Sequence, residues 1–223
     1  MANLISASFI APSRKGDAWF FAGLTSSFPN LTESGADILH EPRLCENGES
    51  VPGCKVFHVP SSDSSQAKQI EGDEMISHNG AALQDEVLIF QYRGKIHAID
   101  NKCPHSAFPL ASTTFEPYIS FCRSSVRLKL LTSYTNLLFR AEGTPFDIED
   151  FGLVLSAGIS CPKHGWSFDL FTGTADRSNY MLRRWEVQLR PIEVSRTEVG
   201  SDDNLKDQKD AEEVWVRRKQ RMG

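Results

Sequence analysis

The chain has 223 residues, 40% of them hydrophobic and 24% charged, with a formal net charge of −5. These values suit one globular domain, with or without appendages, that builds its core without disulfide staples. They exclude the basic footprint of a nucleic-acid binder, and no stretch nears the ~20 apolar residues of a membrane helix.

The opening residues 1–10 lack a charged n-region, and their apolar run is broken by Asn3, Ser6 and Ser8. A secretory signal is therefore not expected. Arg14 and Lys15 are the only basic residues before Asp17, too few for an Arg-rich transit peptide. The five cysteines (45, 54, 103, 122 and 161) are odd in number and sparse, which fits free thiols or metal ligands in a reducing, cytoplasmic setting.

In chain order, residues 1–50 read as an N-terminal segment packing on the domain, with Trp19-Phe20-Phe21-Ala22-Gly23 as a buried stretch. Lys55 to Val59 alternates like a strand and stops at Pro60, and residues 60–80 read as a solvated loop. Val87 to Tyr92 and Lys95 to Ile99 flank Arg93-Gly94, the signature of a β-hairpin that delivers the chain to Cys103. A strand over 152–155 with a turn at Ala157-Gly158 precedes Cys161, and Trp166 to Leu170 and Trp185 to Leu189 are two more strands. Residues 196–223 form a charged tail with acids (Asp202 to Glu213) before bases (Arg217 to Arg221). That order fits the dipole of a docking helix; a frayed, solvated tail is the plainer reading.

Two short pieces carry chemistry: Cys103-Pro104-His105 and Cys161-Pro162-Lys163-His164-Gly165-Trp166. Each puts a thiolate and an imidazole on one loop, a donor set suited to iron–sulfur clusters, zinc or copper. A tetrahedral Cys2His2 zinc site is the competing reading, although zinc fingers usually pair Cys with Cys and His with His. Cys45, Cys54 and Cys122 have no histidine at ligand spacing, and His40, His58, His78 and His97 read as surface or strand residues.

These residues resemble the Rieske family, whose pattern is C-x-H followed by C-x-x-H, over roughly residues 50–195. The resemblance implies an all-β fold: an antiparallel β-sandwich or barrel with a small cluster-binding subdomain of two loops. It implies one 2Fe–2S cluster, with Cys103 and Cys161 on one iron and His105 and His164 on the other. Family members of the respiratory type join the loops by a disulfide; the matching positions here are Phe108 and Lys163, so that bond cannot form. Those members also have a Ser and a Tyr hydrogen-bonding the sulfur; Trp166 and Phe168 stand there instead. Both departures imply the ferredoxin or oxygenase-associated branch and a low potential. Proline after each cysteine is expected to stiffen the loops, and Gly165 to permit a close backbone approach.

Fifty-five residues separate His105 from Cys161, more than the family usually has. Leu110-Ala111 would join smoothly to Glu142-Gly143, which marks residues 112–141 as an insertion. Two readings stand side by side: a partner-binding excursion, or translation of a retained intron, with Thr135-Asn136 encoded by a branch-point-like sequence.

The function expected is one-electron transfer as an accessory oxidoreductase component, served by a reductase and an electron acceptor, with neither nucleic acid nor membrane as partner. A self-contained oxygenase would need a further mononuclear iron held by two histidines and a carboxylate, and only four upstream histidines remain. No G-x-G-x-x-G fingerprint offers a dinucleotide site, so a separate reductase must feed the cluster. The third reading is a binding or regulatory module in which the cluster is structural. The acidic surface and the charge-segregated tail are the expected docking features.

Overall fold

The computed structural model describes residues 15–32, 39, 42–44, 50–70, 85–111, 143–151, 153–192 and 212–219. Residues 112–141, expected to be an insertion, and residues His40, Cys45, His78 and Cys122 lie outside them.

The described chain is nearly all strand, with three single turns of 3-10 helix. The strands are β1 (Phe20–Leu24), β2 (Pro42–Leu44), β3 (Ser50–Pro52), β4 (Cys54–His58), β5 (Lys68–Ile70) and β6 (Glu86–Tyr92). They continue with β7 (Lys95–Asp100), β8 (Thr144–Asp150), β9 (Leu153–Ser160), β10 (Ser167–Asp169), β11 (Trp185–Pro191) and β12 (Glu212–Arg218). They form antiparallel sheets in the orders β5-β4-β6-β7, β1-β12-β11 and β10-β9-β8, with β2-β3 as a short ribbon. This is the all-β, antiparallel architecture expected.

The four-stranded sheet is the central layer, because both of its faces are apolar. On β6, Val87 and Ile89 face one core, while Leu88, Phe90 and Tyr92 face the other. The unbroken run Val-Leu-Ile-Phe is thus what a strand buried on both sides requires. The first core packs against Phe20, Ala22, Trp185, Val214 and Val216 of the β1-β12-β11 sheet. The second packs against Cys103, Leu110, Ile159, Cys161, Phe168 and Leu182 of the region that carries both motifs.

The β6–β7 hairpin turns through Arg93 and Gly94 with φ of 50° and 70°, two left-handed residues as a type I′ turn demands. At its far end β7 is clamped by β11: the Asp100 amide donates to the Arg183 carbonyl at 3.0 Å, and the Trp185 indole donates to Asp100 at 2.8 Å. Cys103 therefore leaves from a fixed strand end.

Three expectations need correction. Residues 212–218 are a strand, not helix: Val214 and Val216 point inward and Trp215 lies outward, a period of two that outweighs the acid-then-base order. Ala157-Gly158 is no turn but the middle of β9; Gly158 is there because the Phe146 ring of β8 lies across it, where a Cβ would sit 2.4 Å from the ring. The Trp19–Gly23 stretch is buried only at alternate positions, with Phe20 and Ala22 inward and Phe21 48% exposed.

Candidate cluster site

The two motif loops share one backbone design. In the first, the Cys103 amide donates to Phe108 O at 2.8 Å and the Ala107 amide to Cys103 O at 2.8 Å. In the second, the Cys161 amide donates to Trp166 O at 2.7 Å and the Gly165 amide to Cys161 O at 2.9 Å. The fifth residue of each is left-handed, Ala107 at φ 52° and Gly165 at φ 65°. Gly165 is needed for that dihedral and not for close approach, since a Cβ there would meet nothing within 4 Å.

The loops meet tip to tip. Cys103 and Cys161 are fully buried. The interaction of the two neighbouring thiols holds Cys103 below the ordinary thiol range and pushes Cys161 above it. Ser106 Oγ lies 3.7 Å from Cys161 Sγ, so the first loop brings a hydroxyl to the second loop's sulfur. Sequence reasoning missed this residue, having looked for a hydroxyl only in the second loop.

The imidazoles of His105 and His164 pair nearer the surface, with ring centroids 5.1 Å apart. The Trp166 ring stacks on His105 at 4.1 Å and 9°. Tyr180 meets both His105 and Trp166 edge-on, at 5.7 and 5.3 Å, and the Arg177 guanidinium lies 5.5 Å over Trp166. These two residues come from the loop between β10 and β11, which no motif in the sequence singled out. Phe168 is buried in the core, and the Lys163 ammonium lies 5.7 Å from the Phe108 ring centroid, where the two loops face each other.

Behind the first loop, Asn101 ties its neck. The Asn101 side chain donates to the buried Glu86 carboxylate at 3.0 Å and accepts from the Ala111 amide at 2.8 Å. Among the other sequence-flagged residues, Cys54 is a core residue of β4. His97 is buried on β7 against Phe90, and burial lowers its pKa to about 4.

The donor set is thus two buried sulfurs and two outer imidazoles, paired by kind. Among the described residues no three His, Cys, Asp or Glu side chains gather around one ion position. A two-iron cluster spreads its protein ligands over two metals. His105 Nδ1 is buried without a hydrogen-bond partner, which a lone pair reserved for a metal explains.

Residues 59–122 match the family model of the Rieske [2Fe-2S] domain. Over those residues the chain is similar to a Rieske domain. Such a domain binds a 2Fe–2S cluster and transfers electrons with redox partners. The match takes in the first loop and ends before the second. No curated protein matches the chain. Among the described residues, no helix is long and apolar enough to cross a membrane.

Proposed function

We propose that this Rieske protein is a one-electron carrier, an accessory component that takes electrons from a separate reductase and hands them to an acceptor in the cytoplasm. Cys103 and Cys161 hold the inner iron, and His105 and His164 the outer one. The observation that carries this reading is the pairing itself: two loops of the same backbone design put sulfur beside sulfur in the core and imidazole beside imidazole at the surface. The cluster, when bound, supplies a one-electron couple; the chain fixes ligand geometry, excludes water from the sulfurs and exposes the histidine edge.

The facing pair Phe108 and Lys163 supports the branch without an inter-loop disulfide. Ser106 tempers the expectation of a bare cluster, because one hydroxyl does reach a ligand sulfur.

The test is iron and sulfide per chain, with EPR of the reduced protein after anaerobic purification. Wild type and Cys54→Ser are expected to hold two irons and give a Rieske signal. Cys103→Ser, His105→Ala, Cys161→Ser and His164→Ala are each expected to lose it. Stoichiometric zinc in the wild type, or full iron in Cys161→Ser, would sink the assignment.

A further inference from the structure

The net charge of the chain is −5, yet the segments that build the cluster end are basic. Residues 101–111 and 161–185 carry five basic side chains (Lys102, Lys163, Arg177, Arg183, Arg184) and two acidic ones (Asp169, Asp176), a net of +3. The remainder of the chain therefore carries −8. Asp169 is committed inward, accepting from the Ser156 hydroxyl and the Phe171 and Thr172 amides.

Several carboxylates are placed or engaged elsewhere. Asp147 is bound to Arg93, Asp85 to Arg218 and Glu186 to Arg217. Glu149 and Asp150 sit at the opposite end of the β8–β9 hairpin from Cys161, roughly 20 Å along the strand.

At the tip, Lys163 and His164 are exposed, and Arg177 lies over Trp166 with its side chain 56% exposed and its guanidinium paired with Asp176 at 3.1 Å, a neighbouring carboxylate that a partner's carboxylate would have to compete with. Tyr180, 40% exposed, and Met181 add an apolar surface beside these charges. A cationic rim around an aromatic centre is the complement of an acidic protein patch. Two carboxylates interleaved with five bases make the end too weakly basic to track a nucleic-acid backbone.

We propose that the cluster end docks its redox partner through carboxylates on the partner's surface, with Lys163 and Arg177 as the contacts and Tyr180 between them. This rests on the ligand assignment above. The anionic character of the whole chain then steers nothing at the point where the electron leaves; the local field has the opposite sign.

The experiment uses the holoprotein, its cluster first verified by EPR. The reduced protein passes one electron to ferric EDTA, giving oxidised protein and ferrous EDTA; no bond or proton is exchanged. Stopped-flow rates are followed against ionic strength for this anionic oxidant and for the cationic tris(phenanthroline)cobalt(III). The expected result is a rate that falls with salt for the anion and rises for the cation, opposite to what the net charge dictates. Lys163→Glu and Arg177→Glu, made separately, should each flatten or invert both slopes while the EPR signal persists. Calorimetry with a deca-glutamate peptide at low salt supplies a binding readout, with affinity reduced roughly three- to tenfold by each reversal.

A wild-type slope that follows the net charge, or slopes unmoved in both variants, would overturn the inference while leaving the cluster assignment intact. Absence of the EPR signal in the wild type would overturn both. Salt-sensitive binding to duplex DNA that the peptide cannot displace would reassign the patch to another partner and overturn the proposal.

Discussion

Ser106 and Ala107 show how much of the site rests on residues other than the four proposed ligands. A hydroxyl near a ligand sulfur stabilises the more negative, reduced state by donating to it. One such hydrogen bond is worth about 1 kcal/mol, or roughly 40 mV for a single electron. Ser106→Ala is therefore expected to lower the midpoint potential by an amount of that order, without loss of iron, in protein-film voltammetry. A midpoint that stays put would mean the hydroxyl donates elsewhere once the cluster is bound. The left-handed position is tested by exchange. Gly165→Ala places a Cβ at φ 65° and is expected to cost about 1 kcal/mol in urea unfolding, whereas Ala107→Gly, at φ 52°, removes that strain and is tolerated. Equal destabilisation by both would argue against the shared loop design. The candidate ligand types and their loops were legible because Cys-Pro-His and Cys-Pro-Lys-His are local patterns. Ala107 was legible in principle: laying Cys103 to Phe108 on Cys161 to Trp166 aligns Cys, Pro, the small left-handed residue and the aromatic. Ser106, Arg177 and Tyr180 act across space, and nothing in their own neighbourhoods marks them.

Among the elements, the hairpin and the strands around it were legible because an alternating or continuous apolar run identifies a strand whatever its partner is. β12 was not, because a mixed-charge segment reads as solvated until β1 and β11 are known to flank it. β8 was missed because its Pro145 and three acids hide an edge strand, and Pro is admissible at an edge. That edge strand is fastened to the central sheet by one cluster of polar groups. Asp147 binds the Arg93 guanidinium through both oxygens and accepts from the Tyr92 hydroxyl at 3.0 Å. The Arg93 hydrogen bonds lower the Asp147 pKa, so the link contributes fully above the unfolded carboxyl value near 4 and is lost as pH falls below it. Burial, then the Asp147 carboxylate, raises the Tyr92 pKa to about 12. The sign at the alkaline side is the converse: Tyr92 stabilises below pH ~10, and that contribution drains away between about 10 and 12 as the unfolded phenol ionises first. Urea midpoints across pH should show Arg93→Ala flatter than wild type below pH 4, and Tyr92→Phe flatter above pH 10. Parallel curves for variant and wild type would remove this link from the account of how the cluster region is held.

At the scale of the whole molecule, the central sheet separates two jobs. One face packs on the sheet that joins β1 and β12 near the two ends of the chain, and the other carries the motif loops. The break at 112–141 falls inside the second half, between the first loop and β8, and the neck through which it leaves is closed. The Gly143 amide donates to the Leu110 carbonyl at 2.7 Å. If residues 112–141 are removed and Ala111 is joined to Glu142, the order becomes Leu110-Ala111-Glu142-Gly143. That hydrogen bond then becomes the i+3 to i bond of an ordinary β-turn, already at its proper length. The Asn101 side chain holds the Ala111 amide on the same neck, so the turn inherits an anchored entry. Replacing a 30-residue excursion by a two-residue turn also removes a loop-closure cost of order 2 kcal/mol. The deletion variant is therefore expected to bind as much iron and sulfide as the full chain, with an unchanged EPR signal and a higher unfolding midpoint. Such a result would agree with either a dispensable excursion or a retained intron, and transcript sequencing separates the two by the presence or absence of a spliced form. A deletion variant that folds but holds no iron would make the segment an integral wall of the cluster site, and the closed neck would then be a coincidence of the fold.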